Sequence, residues 1–217
     1  MVITNNILIT AVACIAISVI GQSCSPASQT ETSSADYAAL PALLAGDYVG
    51  ASSQGQVYHS ILPLNVPQFG GDIFYHHISL ESLGGTAFQR KIYAFDESGR
   101  QMRSTVLLGT SDGFTDKDKL AESLEQLPEA SLLRFPIACQ FQWTRGKDGY
   151  VAEVHRDKCS YESPAFGSLV SPEMTYKLSA CGLEITEGIY REDDSPVFPP
   201  STTNNQRTPA GKACPPL

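Results

Sequence analysis

From residue 57 onward this chain is a series of short apolar runs broken by glycine-bearing turns, and that pattern leaves few architectures open. Residues 57–64, 72–80, 88–95 and 102–109 are strand-like, punctuated by Gly70 and Gly71, Gly84 and Gly85, and Ser98 and Gly99. Similar runs recur at 137–145, 150–156, 173–179 and 182–190. Asp148 and Gly149, in the link between two of them, form a hairpin signal. Helical periodicity is confined to two places. Leu40, Leu43 and Leu44 share a face in residues 37–48, and Leu120, Leu124 and Leu127 do so in residues 116–127. About eight short strands, roughly 10–15 residues apart, with one or two short helices predict a mostly β fold, an antiparallel barrel or sandwich.

The two ends of the chain have a different character. Residues 7–20 form an apolar run of about 14 residues, short of the ~20 needed to span a bilayer as a helix but suited to a signal-peptide core. Cys24 follows at once, and then a Ser/Thr-rich tether. This layout predicts a signal peptide over residues 1–23, a lipidated Cys24 as anchor to a membrane, and a flexible tether over 24–38. The expected location is the cell envelope, in the periplasm or on the outer membrane. Residues 39–191 carry the strand pattern. Residues 192–217 are rich in Pro, Asn and Thr and read as an irregular tail.

Charge and cysteine content narrow the chemistry. A net charge of −8 argues against nucleic acid as a partner, because neutralising a phosphate backbone needs Lys and Arg. Cys139, Cys159, Cys181 and Cys214 form an even set in an exported chain and read as disulfides, with three possible pairings. Cys139 and Cys159 flank the hairpin and are the expected pair. Cys214 suggests a tail stapled back, with Cys181 as a candidate partner. No Cys-x-x-Cys pair supports a metal site. No P-loop, nucleophile elbow or HExxH helix points to a cofactor or a metal, so none is expected.

The order of motifs resembles the CpcT/CpeT-type chromophore lyases, which attach bilin pigments to phycobiliprotein cysteines. The resemblance covers roughly residues 42–190. It runs through Leu43, Leu44, Ala45, Gly46, Asp47 and Tyr48, then Phe74, Tyr75, His76 and His77, then residues 87–93 with Gln89, Arg90, Lys91 and Tyr93. It closes with Cys139, Phe141 and Trp143, a glycine turn over 146–150, and Cys159. What it implies is a lipocalin-like antiparallel calyx whose cavity holds a small amphipathic molecule, bilin-like or otherwise. A phycobiliprotein acceptor would be a partner only for a true lyase. The chain departs from the family where a cavity lining is expected. His76 and His77 replace Glu-Gln, and Gln89, Arg90 and Lys91 replace Arg-Gln-Arg. Fold therefore transfers more readily than activity.

Candidate ligand-binding residues follow from strand alternation. His76 and His77 are adjacent, so they point to opposite faces and one enters a closed barrel. Arg90, between Phe88 and Ile92, is expected either to clamp a ligand carboxylate or to pair with an acid or face outward. Tyr75, Tyr93 and Trp143 are candidate aromatic walls or ordinary core. No catalytic residue is identified. A lyase of this type would use Arg90 to fix a propionate and His76 or His77 to assist proton transfer.

Overall fold

The computed structural model describes residues 37–52, 55–85, 87–109 and 117–208. Twelve strands and two short helices lie among the described residues. In chain order they are α1 (Leu40–Leu44), β1 (Gly46–Ser52), β2 (Gly55–Val66), β3 (Gly71–Leu80), β4 (Ala87–Phe95), β5 (Gln101–Leu107) and α2 (Leu120–Glu125). Then come β6 (Leu132–Arg134), β7 (Phe141–Arg145), β8 (Tyr150–Val154), β9 (Tyr161–Ser163), β10 (Ser168–Leu178), β11 (Gly182–Arg191) and β12 (Pro196–Thr208). Among the described residues no helix is long and apolar enough to cross a membrane. Cys24 and the segment over residues 1–23 lie outside the described residues.

Ten strands close an antiparallel barrel in the order β12, β1, β2, β3, β4, β5, β7, β8, β10, β11 and back to β12. This is the expected lipocalin-like architecture. The short β6 and β9 pair only with the upper parts of β5 and β10, beyond the ends of β7 and β8. Closure disposes of the exposed edges that an open sheet of this size would present.

Apolar side chains cluster on both faces of the sheet because successive side chains on a strand point to opposite faces. Inside the barrel, Tyr48, Ile61, Phe74, Tyr93, Phe141 and Trp143 pack together, and Leu40 and Leu44 of α1 join them across one end. Outside, Ile73, Tyr75 and Ile92 pack under Leu120 and Leu124 of α2. Pro41 occupies the first turn of α1, where its missing N–H costs nothing. Arg207 of β12 fastens this helix by donating to the carbonyls of Ala45, at 2.7 Å, and Leu43. The Tyr48 hydroxyl donates to the Leu44 carbonyl at 2.8 Å. The barrel thus has a plugged end at α1.

Three expectations are corrected. The tail is not irregular where it is described, because Pro196–Thr208 forms β12, a 13-residue strand between β11 and β1. Its Thr and Asn side chains face solvent over most of its length, so it lacks the apolar signature of a strand. Residues 137–145 are not one strand. Ile137–Cys139 is a turn of 3-10 helix after Pro136, Ile137 is 78% exposed, and the strand begins at Phe141. The helix expected over residues 37–48 stops at Leu44, and Gly46 opens a strand.

Cys139 and Cys159 form a buried disulfide at the seam below β6 and β9. The rings of Phe135 and Tyr161, 4.8 Å apart and tilted by 31°, continue that seam upward. Cys181 is also disulfide-bonded, and Cys214 lies outside the described residues.

Candidate functional site

The barrel interior holds a chain of polar groups amid its aromatic core. Lys91, on the inner face of β4, is buried and donates to Oε1 of Glu187 on β11 at 2.8 Å. Tyr176 of β10 donates to the same oxygen at 2.6 Å. The Tyr93 hydroxyl lies 3.2 Å from that of Tyr176, and Nδ1 of His76 lies 2.9 Å from Tyr93. Nε2 of His76 in turn lies 2.9 Å from Nδ1 of His59 on β2. The chain therefore joins strands β2, β3 and β4 to β10 and β11 across the interior.

Electrostatics assign the charges. Burial drives the Lys91 ammonium toward neutrality, but the adjacent Glu187 carboxylate outweighs it and holds the pKa above its ordinary value. Burial likewise raises Glu187, and Lys91 with two hydrogen bonds brings it below the usual carboxylate range. Both are ionised at neutral pH. Burial, helped by the Lys91 cation, lowers His59 to about 4. His76 is lowered well below its ordinary value by burial and by His59. Both imidazoles are neutral at pH 7, so this polar chain carries one cation and one anion that cancel. Burial raises the Tyr176 phenol well above its ordinary value, with the Glu187 carboxylate adding to the effect.

At the far end of this chain, Nε2 of His59 and Oδ1 of Asn205 are both buried, and the Asn205 side chain is a hydrogen-bonding neighbour of the His59 ring. The Asn205 amide is oriented by its Nδ2, which donates to the Leu183 carbonyl at 2.9 Å. Gly50 makes room for it, since a Cβ there would lie 2.1 Å from Oδ1.

The end opposite α1 is open at its inner face. Register places Lys91 beside Val106 and Val106 beside Leu133, so these three share the interior with Gln89. Gln89, Val106, Leu133 and Tyr161 are only half-buried, and the Glu187 side chain is 33% exposed. Lys91, at 4%, lies beneath. The upper interior is thus the less closely packed end of the barrel, here called the lumen, with mainly apolar walls and an ion pair for a floor. The lower interior is packed solid, with Trp143, Tyr48, Tyr93, Tyr176 and Phe141 at 1% exposure or less.

The six residues selected from sequence do not form one site. His76, Tyr93 and Trp143 are inside, the first two as links of the polar chain and the third deep in the plugged half. Tyr75, His77 and Arg90 are on the outer face. Burial pushes the Tyr75 phenol up to about 12, and burial and then the Arg90 guanidinium lower His77. Arg90 thus points away from the lumen and cannot clamp a ligand there. Lys91, Glu187, Tyr176 and His59 were missed. Lys91 was detectable, because a lysine alternating with Tyr93 on one strand face needs an internal anion.

Two clefts lie elsewhere on the described surface. One, of about 350 Å³, lies outside between Phe69, Arg103 and Ile137. There, Arg134 is already paired with Glu129. The other, of about 610 Å³, adjoins Pro41, Phe95 and Asp96 near the plugged end. Asp96 is occupied by the backbone N–H groups of Arg100 and Gln101. Neither cleft holds a buried charge, and the lumen does. Among the described residues no group of three or more His, Cys, Asp or Glu could hold a metal ion.

The fold and this interior define a closed β-barrel of a kind compatible with small-molecule binding. A solved structure described as the selenomethionine CRL protein of Arabidopsis is similar, with a TM-score of 0.55 at 11% identity. The match covers 81% of this chain and 99% of that one, and it speaks to fold alone. No protein-family profile and no curated protein matches the sequence.

Proposed function

We propose that this protein is an exported, lipid-anchored barrel that binds a small amphipathic molecule in its upper lumen. The observation that carries this reading is Glu187, an inward-facing carboxylate, one-third exposed, above an otherwise buried polar chain. Lys91 and Tyr176 satisfy one of its oxygens, and the half-buried walls above it are mainly apolar, the mix of fixed polar group and apolar lining that suits an amphipathic molecule. Native mass spectrometry of the purified protein tests the reading, with a retained small molecule as the expected result. Val106→Trp, which fills the lumen, should then abolish retention, whereas the exposed Ile137→Ser should not. Retention unchanged in Val106→Trp would place the ligand elsewhere.

The resemblance to CpcT/CpeT-type lyases is carried by motif order, and the altered His76, His77 and Arg90 positions favour binding over bilin transfer. Incubation with a bilin and an acceptor subunit decides this, since a covalent adduct would make the chain a lyase. The anchor rests on Cys24 behind its apolar run. Cys24→Ser should release the protein from membranes, and unchanged fractionation would rule lipidation out.

The solid packing of the lower interior favours a second reading, a filled barrel that acts through its surface. Absence of any retained or added ligand, with the fold intact, would select it.

A further inference from the structure

The floor of the lumen specifies which end of an amphipathic molecule it accepts. This inference rests on the lumen-binding reading above and deepens it. Both hydrogen bonds that reach Glu187 among the described residues, from Lys91 and from Tyr176, end on Oε1. No hydrogen bond among the described residues reaches Oε2, and the side chain is exposed on the lumen side. A carboxylate oxygen can only accept. The floor therefore offers a fixed acceptor to whatever descends into the lumen.

The same geometry turns acids away. Lys91 is the one cation on the described inner face at this level, and Glu187 already holds it at 2.8 Å. Arg90 faces the outside. A ligand carboxylate would stand next to Oε2 with no free cation to meet it, in a site whose charges already cancel. The neutral imidazoles of His59 and His76 lie further along the chain and add no positive charge.

We propose that the lumen selects an amphipathic ligand with an N–H donor head group, amide or amine, seated on Oε2 of Glu187. Its apolar part lies against Val106, Leu133 and Tyr161. Carboxylic acids of the same length are excluded.

Dodecanamide, dodecylamine and dodecanoate, matched in chain length, are the probes. They are presented together at equal concentration below micelle formation, and bound species are counted by native mass spectrometry at pH 7. The expected result is amide and amine over acid by at least about tenfold, because a site built to accept a hydrogen bond rejects an analogue that cannot donate one. Glu187→Gln frees Lys91 and should invert the order in favour of dodecanoate. Should that variant fail to fold, the double variant Lys91→Gln with Glu187→Gln removes both charges and keeps the hydrogen-bonding atoms. The three probes should then bind within about threefold of one another. Dodecanoate equal to or tighter than dodecanamide in the unaltered protein would overturn the head-group assignment and leave lumen binding standing. Failure of all three probes to bind would overturn both.

Discussion

The two faces of strands β3 and β4 carry nearly the same residues and do different things. On the inner face, His76 and Lys91 lie opposite one another. On the outer face, one residue along, His77 lies opposite Arg90. The inner lysine is 3% exposed and bound to Glu187, and the inner histidine is fully enclosed between His59 and Tyr93. The outer pair sits beside Tyr75 on the face that packs under α2, with His77 half-buried. Residue type did not separate these environments. Side-chain alternation and barrel closure did. A cation and an imidazole enclosed in a low-dielectric interior need partners of defined geometry. Outside, His77 still reaches solvent, whereas Arg90 is buried at 9% exposure beneath its neighbours.

The sharpest way to break the comparison is to neutralise one cation at a time. Lys91→Met removes the cation paired with Glu187, leaving Tyr176 as the remaining donor to that carboxylate, and should cost about 3 kcal/mol of folding stability, near the low end for a broken buried pair because Glu187 reaches solvent. Arg90→Met keeps the aliphatic stem in place and should cost about 1 kcal/mol. Urea denaturation measures both. Equal losses would mean that the pair inside the barrel is no more demanding than the pair on its outer face.

Acid separates the faces next. Folded His59 titrates near 4 against an ordinary 6.5, so between these values the unfolded chain binds a proton that the folded chain refuses. Stability contributed by the neutral ring is therefore complete above pH 6.5, is lost as pH falls, and levels off below about 4. At pH 5 the loss from His59 alone is about 2 kcal/mol, and His76 adds in the same direction. In His59→Gln the stability-versus-pH curve should be flatter between pH 6.5 and 5. An unchanged slope would place the acid sensitivity elsewhere.

These contrasts mark how far the residues alone could be read. The barrel was legible because a closed antiparallel sheet writes period-two alternation and turn residues into every hairpin, as Ile73 to Leu80 shows. The disulfide was legible from cysteine spacing around a hairpin. β12 was not, because its polar outer face and its prolines imitate a loop. The polar chain was legible only in part. His76 and Tyr93 came from strand alternation, but Tyr176 and Glu187 are separated from Lys91 by 85 and 96 residues. Only closure of the sheet brings them together. The guanidinium of Arg90 suits a carboxylate clamp, but a one-residue step on a strand reverses the face, and Lys91 is the cation that points inward.

The smallest expected effect tests that last point most directly. His76 cannot change without disturbing two hydrogen-bonded contacts at 2.9 Å, whereas His77 is half-buried on the opposite face. His77→Gln should therefore change folding stability by no more than about 0.5 kcal/mol. It should also leave dodecanamide binding unaltered. His76→Gln, by contrast, breaks the link between His59 and Tyr93 and should lower stability measurably in the same denaturation experiment. If His77→Gln weakened dodecanamide binding while stability held, the outer face of β3 would take part in recognition, and the lumen would no longer account for the ligand by itself.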